Sequence, residues 1–112
     1  MSENYIDLPS ALELTRRYKE NKEALVSTEF NDSMHIAETF DASAIQAILN
    51  QPGCMHFRAY YGMKEDKTVC LVFVGVNAQD QDMVGNQPYG EGIIVEYGRV
   101  CPPVCTINSP FL

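Results

Sequence analysis

Two cysteines bracket a double proline in GRVCPPVC, residues 98 to 105, and thiols so placed can hold a metal, close a disulfide or pack as small apolar groups. A zinc or iron knuckle takes C-x-x-C spacing with backbone N–H groups donating to sulfur. Here the gap is one residue longer, and Pro102 and Pro103 carry no N–H. A polyproline-like step of about 3.1 Å per residue would set the α-carbons of Cys101 and Cys105 about 12 Å apart, beyond the ~7 Å reach of a disulfide. Only a folded-back turn, such as one with a cis bond before Pro103, brings the sulfurs together. The expectation is of thiols that pack, with a metal site or redox pair at Cys101 and Cys105 as the alternative. Further metal ligands would come from Cys54, Cys70, His35 and His56, of which Cys70 and His56 are expected on opposite faces of one hairpin and cannot share an ion.

His56, Arg58 and Tyr60 alternate along one extended run. Their side chains project together and could hold a carboxylate or phosphate, with Glu96 on a neighbouring strand. Alternating polar residues are also what a solvent-facing sheet produces. Asp80, Asp82 and Glu91 invite comparison with a calcium loop, since Gly85 and Glu91 fall at the sixth and twelfth positions counted from Asp80. Val84 stands where an oxygen ligand belongs and Pro88 is a second misfit, so a solvated acidic loop is the expectation. GNQPYGEG lacks the Lys-Ser/Thr of a phosphate-binding loop, and no G-x-S-x-G occurs. The chain therefore leans away from an enzyme, and no cofactor is expected.

These residues must be held by a small set of elements. Ser10 to Glu13 matches a capping box and opens an amphipathic helix over about 10 to 26. A short strand is expected within 33 to 39. Asp41 reads as the N-cap of a second helix over 42 to 50, with Phe40 placed to staple against Ile45 and Gln51-Pro52-Gly53 as the stop. Residues 54 to 62 and 68 to 77 form a β-hairpin around Met63-Lys64-Glu65-Asp66-Lys67. If Lys64 faces Lys67, Tyr61 pairs with Cys70, Ala59 with Val72 and Phe57 with Val74. Met55, Phe57, Ala59, Tyr61, Cys70, Val72 and Val74 then make a core wall, and Leu71 and Phe73 share the outer face with His56, Arg58 and Tyr60. Residues 92 to 98 supply one more strand.

Leu71 and Phe73 would need a cover on that outer face. The C-terminal tail, with Val104, Ile107, Phe111 and Leu112, or a second subunit is expected to supply it. Three strands of five residues offer only about 250 Å² in projection, short of the ~800 Å² per partner of a standard interface. Tail and homodimer are therefore expected together, with contact to another protein as a further option.

At 112 residues, with 46% hydrophobic and 21% charged content, the chain can bury one core, so a single domain over 1–112 is expected. MSENYIDLPS has no positive charge or apolar run behind it, and VCLVFVGV is far shorter than the ~20 residues of a membrane helix. A cytoplasmic protein without a membrane partner is the expectation. The net charge of −7 and scattered basic residues oppose a phosphate backbone, so nucleic acid is not expected as a partner. Two helices and three or four strands without βαβ alternation give the α+β class: a mostly antiparallel sheet of three to four strands with two helices on one face.

With LNQPGC, YYG, VFVGVNA and GRVCPPVC, residues 40 to 105 resemble a family of small bacterial proteins of no established function that share this order of elements. The resemblance implies no activity; it implies that the CPPVC segment recurs in that family. The expected role is a non-enzymatic, homo-oligomeric interaction domain. The alternatives are a metal or thiol-redox protein using Cys101 and Cys105, or an anion binder using His56, Arg58 and Tyr60.

Overall fold

Asp7 starts the first helix: its Oδ1 accepts the Ser10 N–H at 2.9 Å. The computed structural model describes residues 4–85, 92–103, 105 and 108–112. The cap thus lies three residues before the expected Ser10, because Pro9 is well placed in a first helical turn, where its missing N–H costs nothing. Helix α1 runs over Leu8–Asn21 and tightens into a 3-10 turn at Lys22–Leu25. None of its residues is fully buried. It is tied down by the Tyr18 hydroxyl, which donates to the His35 carbonyl at 2.6 Å, and by Lys19 Nζ, which donates to the Phe111 carbonyl at 2.7 Å.

Strand β1 (Ala37–Thr39) pairs antiparallel with β5 (Arg99–Cys101). Helix α2 (Ala42–Leu49) starts after Asp41, whose backbone carbonyl accepts from Ala44, while its side chain makes no cap bond. The helix stops at Gln51-Pro52-Gly53, with Gly53 at φ +88. Gln51 is buried and closes this corner: its Nε2 donates to the Ile48 carbonyl and its Oε1 accepts from the Ile93 N–H. The Phe40 ring packs edge-on against Phe73, with centroids 4.6 Å apart.

Strands β2 (Cys54–Met63) and β3 (Val69–Asn77) form the expected hairpin, and β4 (Asp82–Met83) adds a short third strand in the order β2-β3-β4. Two helices and two antiparallel sheets make this an α+β fold.

The expected strand over 92 to 98 is reduced to one bridge, in which Val95 and Phe73 exchange both backbone bonds. Tyr97 adopts φ +67, a left-handed conformation that ends the extended run before β5 begins at Arg99.

The hairpin register also differs from expectation, by one residue. Lys64 N–H donates to Thr68 O, Lys67 N–H donates back to Lys64 O, and Lys67 takes φ +71. This is a three-residue turn ending in a left-handed residue, where a two-residue turn was expected. The Asp66 carboxylate fastens it by accepting from both the backbone and the hydroxyl of Thr68. Tyr61 therefore pairs with Leu71, Ala59 with Phe73 and Phe57 with Gly75.

Because side chains alternate with period two, this slip moves Leu71 and Phe73 to the opposite face. They share it with Phe57, Ala59 and Tyr61, while His56, Arg58 and Tyr60 share theirs with Cys70, Val72 and Val74. The expected core wall does not exist as one surface. Met55, Phe57 and Tyr61 are exposed; Cys70, Val74 and Val76 are buried on one side, and Ile48 and Met83 lie beside Gly75 on the other.

Candidate functional site

The slip answers what lies against Leu71 and Phe73. Phe73 is covered by Phe40 and by Phe57, whose ring stacks on it at 4.8 Å. Leu71 lines a cavity of about 290 Å³ with Tyr18 of α1, Tyr61, Val69 and the segment 34–38. Both helices serve this face, α2 at its Gly75 end and α1 at its Leu71 end. Phe111, expected over the sheet, lies against α1 beside Leu12 and Lys19. Val104, Ile107 and Glu91 lie outside the described residues.

On the opposite face Arg58 reaches from β2 across β3 to β4. Its Nη1 donates to Asp82 Oδ1 at 2.6 Å and its Nη2 to Asp80 Oδ1 at 2.9 Å, while the Tyr60 hydroxyl donates to Asp82 Oδ2. His56, Arg58 and Tyr60 do project together, but the guanidinium is matched by two carboxylates of the chain itself. An incoming anion would have to displace them.

The same contacts account for the acidic loop. Asp80 takes φ +62 at the tip of a tight turn in which Asn77 Oδ1 accepts from the N–H groups of Gln79 and Gln81. Asp80 and Asp82 face Arg58, and among the described residues no group of three His, Cys, Asp or Glu is placed to hold a metal ion.

The cysteines require the main correction. The peptide bonds before Pro102 and Pro103 are both cis, the chain folds back, and Cys101 and Cys105 are joined as a disulfide with α-carbons 4.9 Å apart. The extended polyproline geometry that would separate the sulfurs is not adopted, so they are not packing thiols. Cys101 is buried in β5 and Cys105 is exposed. Cys54 and Cys70 are free. Burial pushes the Cys70 thiol up, and the nearby Glu96 and Glu38 carboxylates add to this.

Glu38 was not singled out by the sequence, and Glu96 was expected beside His56, Arg58 and Tyr60; the structure instead brings Glu96 near Glu38, 58 residues away in sequence. Each has a buried carboxylate oxygen with no hydrogen-bond partner among the described residues, Oε2 of Glu38 and Oε1 of Glu96. Desolvation and the Glu96 charge raise the Glu38 pKa above the usual carboxylate value, against weaker lowering by the Leu71 N–H, Lys64 and His35.

The two long edges of the hairpin are finished differently. Along the outer side of β3, Val69 N–H donates to Ser33 O, Phe73 exchanges bonds with Val95, Gly75 pairs with Met83 and Asn77 N–H donates to Gln81 O. On β2, the bonded Lys64 and Thr68 pair sets the alternation, so the even-numbered residues bond inward to β3 and the N–H and C=O groups of Phe57, Ala59 and Tyr61 point outward. The Phe73–Val95 bridge independently requires the same for Ala59, which stands opposite Phe73. Among the described residues no strand pairs with that outer edge.

The edge is long and apolar. Met55, Phe57, Tyr60, Tyr61 and Met63 are all exposed along it, and CMHFRAYYGM contains no Lys, Pro or acid. These are devices by which proteins usually guard an edge strand. Sequence reasoning singled out this strand for its polar alternation and missed its outer edge; the lack of Lys, Pro or acid in it was the available signal, with Arg58 its one fixed charge. Comparison with family models, with curated proteins and with solved structures returned no match.

Proposed function

We propose that this chain is a non-enzymatic protein-interaction domain that works by self-association, with β2 as its contact strand. The observation that carries the reading is the ten-residue β2, whose outer edge pairs with no strand among the described residues and which bears exposed Phe57, Tyr61 and Met63. An exposed edge of this kind is a template for strand addition. The best-placed cation on the sheet, Arg58, is already engaged by Asp80 and Asp82, which weakens the anion-binding alternative.

Sedimentation equilibrium over a range of concentrations tests the reading. The wild-type chain is expected to associate and Tyr61→Lys, which places a charge on the open strand, to remain a monomer with an unchanged far-ultraviolet spectrum. A wild-type monomer at ~0.1 mM, where even a weak specific contact should register, would remove it.

The Cys101–Cys105 disulfide favours one second reading, a thiol-redox role for the C-terminal segment. A dithiol reductant would leave two thiols here and carry away the disulfide. A cytoplasmic location, where thiols are kept reduced, makes such a bond transient, whereas an oxidising compartment preserves it. Titration of the purified, unfolded protein without reductant is expected to find the thiols of Cys54 and Cys70 alone. Four free thiols under those conditions would dismiss this role.

A further inference from the structure

We infer that the partner on β2 is a second copy of β2, antiparallel and centred on Ala59, so that two three-stranded sheets join into one of six. This rests on the interaction-domain reading above and adds the identity and register of what is bound.

A two-fold axis perpendicular to the sheet can pass through only a few points of the strand, and each pairs different residues. Centred on Arg58, it sets Arg58 against its own copy, a like-charge pair that destabilises an antiparallel ladder. Centred on Ala59, the outward N–H and C=O groups of Ala59 meet those of its copy, and the outward groups of Phe57 meet those of Tyr61.

On the face shared with the helices, Phe57 then stands opposite Tyr61, a pair of large aromatic side chains, and Met63 lies toward the bulged Cys54/His56 end of the other copy. On the other face Arg58 stands opposite Tyr60, whose hydroxyl is bound to Asp82. The cation of each copy is thereby brought toward the acidic end of the other. The strand carries no acid in a chain of net charge −7, so this edge is where two copies approach with little repulsion.

The available surface is adequate. At ~200 Å² for a large side chain, exposures of 64% at Met55, 40% at Phe57, 45% at Tyr60, 85% at Tyr61 and 56% at Met63 amount to about 600 Å² per copy. Backbone and the smaller side chains bring this near the ~800 Å² per partner of a standard interface. Strand register is well specified when apolar side chains occupy one face, and here a shift by one residue would break the Phe57–Tyr61 pairing.

Cross-linking reads the register directly. In a Cys54→Ser background, Ala59→Cys puts two thiols across the axis at about 5.5 Å between α-carbons, within disulfide reach. Mild oxidation is expected to give covalent dimer at least ten-fold more efficiently than for Tyr60→Cys, the centre of the neighbouring register. A preference for Tyr60→Cys in a protein that still dimerises would overturn this register and leave the interaction reading standing. Ala59→Pro removes an outward N–H while leaving the inward ladder to β3 intact, and is expected to abolish the dimer with the melting curve of the monomer unchanged. A dimer that survives Ala59→Pro would place the contact elsewhere and overturn the proposal. A wild-type monomer at ~0.1 mM would overturn both readings.

Discussion

Arg58 on β2 and Asp82 on β4 are joined at 2.6 Å across the intervening strand, so the two outer strands of the sheet are tied over the buried Val74 and Val76. Asp82 faces Val76 and Arg58 faces Val74 in register. The arginine stem thus covers apolar surface while its charge is neutralised at the far side.

Loss of this tie should therefore have two separable parts. Arg58→Met keeps a stem over Val74 and loses the charge pair; Arg58→Ala loses both and is expected to lower the urea midpoint further. In the Arg58→Met background Asp82→Asn should have little additional effect, whereas in the wild type it should destabilise, by an amount that shrinks as salt is added. Urea titration of the wild type and these four variants checks this, and equal effects of Met and Ala at position 58 would refute the covering role.

Ile48 and Gly75 meet where α2 rests on β3. A Cβ built on Gly75 would lie 2.9 Å from Cys54 Sγ, 3.0 Å from Gln51 Nε2 and 3.3 Å from Ile48 Cγ2. Gly75→Ala is expected to destabilise by about 1–3 kcal/mol through overpacking. Ile48→Ala, at a side chain with no exposed surface, should cost about 2–5 kcal/mol through the cavity it leaves. Because the two act on one contact, the double variant should lose less than the sum. Denaturant unfolding gives all three values.

Glu38 supplies a pH dependence. Its carboxyl is held above its ordinary value of 4.5 by desolvation first and by Glu96 second. The native state therefore binds the proton more tightly than the unfolded chain does. The stabilisation is fully present below about pH 4.5 and is lost as pH rises through the elevated native value. Asp7, Glu23 and Asp66 are shifted downward and act in the opposite sense, so the contribution is read as a difference. Melting temperatures of wild type minus Glu38→Gln should fall as pH rises from 4 toward neutrality. A flat difference would show that Glu38 is not desolvated.

Helix α2 was legible because its signals are local: Asp41 before it, apolar Ile45, Ile48 and Leu49 on one stripe, and Gln51-Pro52-Gly53 after it. The existence of the hairpin was legible for the same reason. Its register was not, since that depends on which turn residue goes left-handed, and Lys67 carries no glycine-like signal that it will do so. One residue of turn length then decided the facing of every side chain from His56 to Val76. The prolines between Cys101 and Cys105 suggest an extended step that keeps the sulfurs apart, whereas the chain there folds back and joins them, with both preceding bonds cis.

Composition and period by themselves determined the α+β class, the hairpin and the second helix, because those follow from propensities and alternation within a few residues of each position. Only the tertiary structure decided that Phe73 packs between Phe40 and Phe57, that Arg58 is tied to β4, that Glu38 lies near Glu96, and that no strand among the described residues pairs with the outer edge of β2. Each of these depends on which distant segment arrives beside which strand, and hydrogen bonds and desolvation at such meetings are properties of the assembled chain rather than of any stretch of it.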